Sequence, residues 1–112
     1  MLPWINGNLS RELLIGSSLI ANMKHIRNVI GPQVRRIRYE QGLTQEALAG
    51  KLQREGWDLS RSSLANLEAQ DRWVVESELF LLARVLEVPM HALFPPVEKV
   101  KKFVSSPHFK RN

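Results

Sequence analysis

The residues with the most specific chemistry to offer lie within residues 44–72. An arginine guanidinium presents a fork of donors that fits the O6 and N7 edge of guanine, and an asparagine amide fits N6 and N7 of adenine. Arg61 and Asn66 supply one of each in a single short run. Around them stand Ser62, Ala65 and Ala69, side chains short enough to let a helix approach a surface such as the floor of a DNA major groove. A helix face that meets only water more often carries Glu and Lys, so solvation is the weaker account of this row. Upstream, Thr44 and Gln45 open another helical pattern. Unpaired backbone N–H groups and the positive end of the helix dipole favour an anion there, and a phosphate oxygen suits both.

No catalytic pattern competes. Serines, histidines and carboxylates are present, but none sits in a Gly-rich elbow, a paired-carboxylate cluster or a phosphate-cradling loop. His25, His91 and His108 are far apart and show no ligand spacing, so no metal site is expected. With no cysteine, neither a disulfide nor a thiolate site can reinforce the core. The expectation is a protein that binds, not an enzyme, with no cofactor.

Short helices must hold these side chains. Ile30, Val34 and Ile37 recur at helical spacing, Pro32 suits a first turn, and Gly42 supplies a stop. Arg35 and Arg36 face away from that apolar stripe, and Arg38 lies on its flank. Thr44 is the N-cap of a second helix, with Leu48 and Leu52 on its buried edge and Gly56 at its end. Trp57 and Leu59 are the apolar residues of the turn that follows. Ser60 then caps a third helix whose inward positions are Leu64 and Leu67. At roughly 100° per residue, Ser62, Ala65, Asn66 and Ala69 face outward, with Arg61 in the exposed first turn. Leu79, Leu82, Ala83 and Leu86 form the cleanest amphipathic pattern in the chain, a fourth helix. Pro89 starts a fifth, containing Met90, Leu93 and Phe94, and Pro95 and Pro96 stop it. No strand-like alternation intervenes. The fold class is all-α, a compact five-helix domain over residues 30–96.

A chain of 112 residues holds one domain with short appendages. Its net charge of +5 favours a polyanionic partner, but the excess lies at the ends. Residues 1–29 carry Arg11, Lys24 and Arg27 against Glu12, a net of +2, and residues 98–112 carry a net of +4. The middle is close to neutral, at −1, so the arrangement within it counts for more than composition. The N-terminal extension, 1–29, reads either as a helix capped at Ser10 and carrying Leu13, Leu14, Ile20 and Met23, or as disordered; Met23 is also a candidate translation start. The basic tail, 97–112, mixes Phe103 and Phe109 with lysines, and three fates stay open for it: phosphate contact, cover for a dimer interface, or disorder. The apolar stretch 13–21 is broken by Gly16, Ser17 and Ser18 and has a poor positive flank for a signal peptide. No run approaches the roughly 18 apolar residues of a membrane span. A cytoplasmic protein with no membrane association is expected.

The run Gly42-Leu43-Thr44-Gln45-Glu46-Ala47-Leu48-Ala49 resembles the second-helix signature of lambda-repressor-like helix-turn-helix proteins of the Cro/Xre type. Leu59-Ser60-Arg61-Ser62-Ser63-Leu64-Ala65-Asn66-Leu67-Glu68 resembles their recognition helix, and residues 79–94 are similar to their fourth and fifth helices. Three motifs in the right order make the resemblance specific for the fold. For the operator sequence it is silent. It implies base contacts from Arg61, Ser62 and Asn66, a phosphate contact from Gln45 beside Thr44, and Ser63 near phosphate or at the groove wall. It also implies that Gln45 braces a side chain of the recognition helix, and that an Arg38–Glu68 ion pair joins the first and third helices. Both partners of that pair lie on the same flank of their stripes.

Two departures from the family pattern stand out. The family joins its second and third helices by a turn of about three residues, whereas residues 53–59 are more generous here. The extra length implies a second helix one turn longer, with Trp57 packed beneath the turn. Gln70 stands where the family often has Gly to end the recognition helix, and Arg72 beyond it is expected to touch phosphate. Together these features imply a sequence-specific double-stranded DNA-binding transcriptional regulator. It is expected to act as a homodimeric repressor, with the fifth helix, exposing some of Met90, Leu93 and Phe94, at the interface. The alternative is a protein-interaction module, such as an antitoxin, whose protein partner docks on the terminal segments. The two roles can coexist, but a pure interaction module would have no use for Arg61 and Gln45.

Overall fold

Val34, Leu48, Leu52, Leu64, Leu67, Leu82, Leu86 and Leu93 meet in one core, each 0% exposed. Burying a Leu or Val side chain fully stabilises by about 1.5–3 kcal/mol, so a handful of such residues sustains a small domain. They are held in a computed structural model of the chain, which describes residues 26–106. Among the described residues there are five α-helices, one 3-10 helix and no strand. The order is α1 (Gly31–Glu40), α2 (Gln45–Arg54), α3 (Arg61–Glu68), α4 (Glu76–Leu86), the 3-10 helix Met90–Leu93, and α5 (Val97–Ser105). The extension expected to carry Leu13 to Met23, and His108 with Phe109, lie outside the described residues.

Each helix begins where the residue chemistry calls for it. Thr44 Oγ1 accepts the Ala47 N–H at 3.0 Å, and Ser60 Oγ accepts the Ser63 N–H at 3.1 Å, so both anticipated N-caps are made. Gly42, with φ +71°, reverses the chain after α1, and Gly56, with φ +99°, does so after α2. α2 ends at Arg54, and the residues beyond it form a loop that carries Trp57, half-buried against the core.

The fifth helix differs from expectation. Met90–Leu93 is a single 3-10 turn packed on α4 and α1, with Leu93 fully buried and Phe94 half-buried against the core. Leu93 therefore has no surface to give to a dimer interface, and only Met90 of the expected trio is exposed. The tail holds structure of its own, since α5 follows directly on Pro96.

Residues 27–28 strap the start of the domain to the end of α3. The side-chain amide of Asn28, 6% exposed, donates to the carbonyls of Leu67 (3.2 Å) and Arg72 (2.8 Å). Its Oδ1 accepts the N–H groups of Ile30 (3.1 Å) and Gly31 (2.8 Å), which caps α1. The Arg27 N–H donates to the Gln70 carbonyl at 2.8 Å, and the Gln70 amide returns a bond to the Asn28 carbonyl at 3.1 Å. Gln70 takes φ +65°, the left-handed conformation for which glycine is better suited. The exchange with Arg27 and Asn28 offsets that strain and lets α3 end without a glycine.

Candidate nucleic-acid interface

α3 has two unlike faces. Leu64, Leu67 and Glu68 are buried, while Arg61, Ser62, Asn66 and Ala69 are exposed, with Ser63 and Ala65 half-buried between them. Ser60 Oγ, the cap, lies 3.2 Å from Ser62 Oγ. The exposed row is short-chained apart from Arg61, so nothing bulky stands between this helix and a partner surface.

A buried ionic network fixes how that row is presented. Arg38 on α1 donates from Nε to Glu68 Oε2 at 2.7 Å and from Nη2 to Oε1 at 2.9 Å. Both residues are only 5% exposed. Nη1 of Arg38 bonds the Leu43 carbonyl at 2.9 Å, and Gln45 Nε2 reaches Glu68 Oε1 at 3.0 Å. One carboxylate on α3 is thereby tied to α1 and to the first residue of α2. A bidentate, fully bonded pair of this kind satisfies the buried charges, and the hydrogen bonds to Glu68 raise the Arg38 pKa further.

The N-terminus of α2 forms one wall of a cleft of ≈ 360 Å³. Thr44, Gln45 and Glu46 line it from α2, Arg35, Arg38 and Tyr39 from α1, Leu43 from the turn, and Arg61 from the start of α3. The first N–H groups of a helix have no intrahelical acceptor and point out along its axis, so Gln45 and Glu46 offer donors here. The Arg35 guanidinium bonds the Tyr39 hydroxyl at 3.3 Å and lies 5.2 Å from the ring centroid. That bond and charge, with the Arg38 guanidinium on the same ring, hold the Tyr39 hydroxyl below its usual pKa. The cleft thus gathers three arginines, a polarised tyrosine and a helix start beside the exposed row of α3.

Of the anticipated site residues, Thr44, Gln45 and Arg61 line the cleft, Ser62 and Asn66 are exposed on α3, and Ser63 is half-buried. Arg38 and Glu68 stand behind them as the internal pair. Arg72, the residue expected at phosphate, is also engaged within the chain. Its Nη1 and Nη2 bond Glu78 at 3.0 and 3.1 Å, and the guanidinium lies 5.5 Å from the centre of the Trp57 ring. Arg72 therefore joins the loop after α3 to α4 and covers Trp57. Partial burial pushes the Glu78 pKa up, but the bonds from Arg72 and from the Val75 N–H outweigh it, and the net effect is to lower it.

Sequence reasoning missed Arg35, Tyr39 and Asn28. The Arg35–Tyr39 spacing of one helical turn was a visible signal, but only the fold shows which neighbour that face of α1 meets. Asn28 stood ahead of the first apolar stripe and carried no periodic signal.

Helices α2 and α3, set across a turn, with short side chains on the exposed face of α3 apart from Arg61, define a small all-α domain of the helix-turn-helix DNA-binding class. A family model described as helix-turn-helix, of the Cro/C1 type, matches residues 34–93, and the chain belongs to that lambda-repressor-like family. The matched span runs from within α1 through the 3-10 helix and leaves out both the strap at residues 27–28 and α5. No curated protein and no solved structure matches the chain. Among the described residues no helix is long and apolar enough to cross a membrane, and no group of His, Asp and Glu is placed to hold a metal ion.

Proposed function

We propose that this helix-turn-helix regulator is a sequence-specific reader of double-stranded DNA, acting in the cytoplasm as a dimeric repressor with α3 in the major groove. The observation that carries the reading is the exposed row on α3, held at fixed orientation by the Glu68 carboxylate. Arg61 and Asn66 are the base-reading pair, for guanine and adenine edges respectively, with Ser62 beside them. The N-terminus of α2, through Thr44 and Gln45, takes a backbone phosphate, with Ser63 at the groove wall and Arg35 supplying further positive charge. Arg72 supports this face from behind through Glu78 and Trp57. Gln45 has two tasks in this scheme. Its amide steadies α3 while its N–H meets the phosphate, which couples docking on the backbone to the register of the reading helix. Two protomers on a two-fold site place their recognition helices about 34 Å apart, one turn of the duplex. Repression follows from occupancy of the site.

The test is binding of the full chain to the DNA upstream of its own coding sequence, against random duplex, over a series of salt concentrations. Phosphate contacts weaken steeply with salt on any sequence, whereas base contacts keep the cognate complex above the background. Specific binding that outlasts the random complex is the expected result and directs footprinting to the operator. Equal loss on both duplexes would overturn the reading, and a protein partner would then become the first alternative.

A further inference from the structure

We propose that Arg27, which lies outside the matched family span, is part of the DNA-binding face. Its guanidinium neutralises Asp71 and reaches a backbone phosphate at the C-terminal end of α3. The inference rests on α3 entering the major groove and adds a contact to that reading. The strap lays Arg27 against the residues that follow α3, its N–H donating to the Gln70 carbonyl at 2.8 Å. Its Nη1 lies 2.8 Å from Asp71 Oδ1, with the two side chains 38% and 54% exposed. The Asp71 N–H in turn donates to the Asn66 carbonyl at 2.7 Å. This carboxylate is therefore fastened to the exposed row itself, just beyond Ala69, the last exposed position of that row.

A recognition helix contacts base edges with its N-terminal residues, which leaves its C-terminal end towards the phosphates at the groove edge. α3 carries a cation in its first turn, Arg61, and no basic residue in its last. The first charge beyond that last turn is the carboxylate of Asp71, and a bare carboxylate set against phosphate weakens binding. Arg27 supplies the missing cation from another part of the chain. Folding gains little from the pair, because water screens an exposed ion pair and ordering two side chains costs entropy. A guanidinium has five N–H donors, and among the described residues that of Arg27 bonds only Asp71. The rest of the fork is open. One edge can hold the carboxylate while another donates to a phosphate oxygen, a charge-assisted bond in each case.

The test measures binding of the full chain, Arg27→Ala, Asp71→Asn and the double variant to a random duplex over a series of salt concentrations, with a thermal melt of each. A random duplex suffices because a phosphate contact carries no sequence information. Only side chains change, and the N–H of residue 27 keeps its bond to Gln70, so the four proteins are expected to melt alike. Arg27→Ala is expected to bind several-fold more weakly, with a salt slope shallower by about 1. Asp71→Asn is expected to bind more tightly than wild type. The double variant separates screening from contact. It should bind more weakly than Asp71→Asn, since the phosphate donor is missing even with the carboxylate gone. A double variant equal to Asp71→Asn would overturn the phosphate contact, and Arg27→Ala binding like wild type would overturn the whole inference. A wild type that binds random and upstream duplex equally would remove base reading by α3 while the variants still report on Arg27. One that binds neither duplex would remove both.

Discussion

Glu68 sits where three elements meet, and replacing either end of its pair leaves a buried charge unsatisfied. Glu68→Ala is expected to cost about 3–5 kcal/mol, enough to unfold much of a small domain, measured by urea denaturation. The double replacement Arg38→Met with Glu68→Leu should recover most of that loss, because two apolar groups leave no stranded charge. Its DNA affinity should still fall, since Gln45 loses its tether. On the exposed face the effects separate by contact type. Arg61→Ala is expected to weaken cognate binding by about 1–3 kcal/mol and to relax preference at one base position, whereas Gln45→Ala weakens all sequences more evenly. Equal losses on cognate and random duplex for Arg61→Ala would count against base reading by that residue. The exposed row and the caps were legible in the sequence because helical period and capping chemistry are local properties. The internal partners of Arg72 were not: Glu78 and the Trp57 ring reach it only through the fold. Arg35 and Tyr39 stayed hidden for the converse reason, lying on a face that looked merely solvated until α2 was set against it.

At the scale of elements, α1 and α3 touch at a point with no room for a side chain. A Cβ on Gly31 would lie 2.5 Å from the Leu67 carbonyl oxygen and 2.7 Å from that of Glu68, both backbone atoms that cannot swing aside. Gly31→Ala is therefore expected to destabilise by roughly 1–3 kcal/mol, as overpacking does, in a thermal melt against wild type. α4 offers a prediction in pH. The folded Glu78 carboxyl lies below its ordinary value, so its contribution is complete above the unfolded pKa and is lost as pH falls through the folded one. Glu78→Gln should melt lower than wild type near neutrality, and the gap should close as pH drops below about 4.5, the ordinary carboxyl value. A gap that stays constant into acid would show that the ionised form is not what joins Arg72 to α4. The first four helices were readable in advance from the spacing of Ile, Val and Leu and from their caps and stops. The end of the domain was not. Pro89, Pro95 and Pro96 fixed where the chain could not be helical, but a single turn with a buried Leu93 and a longer helix both fit those stops. α5 stayed unread because its valines and lysines, read as a basic tail, carry a period that had no core to point to.

For the whole molecule, the proposed two-fold binding makes the protected DNA a measurable length. Footprinting is expected to show two half-sites separated by about one helical turn, roughly 10 base pairs from centre to centre. A single protected patch without symmetry would contradict it. The strap has a consequence for what can be moved between proteins. The recognisable family span begins at Val34, inside α1, yet the cap of α1 and the closure of α3 are made by Asn28, and the left-handed turn at Gln70 is held by Arg27. A graft of residues 34–93 would carry the signature without its fastening, and the reading helix would fray at its last turn. Transplanted with residues 27–33, the same helix keeps its end. The portable unit of this regulator is thus drawn by hydrogen bonds to one buried asparagine, at a border the family likeness does not mark.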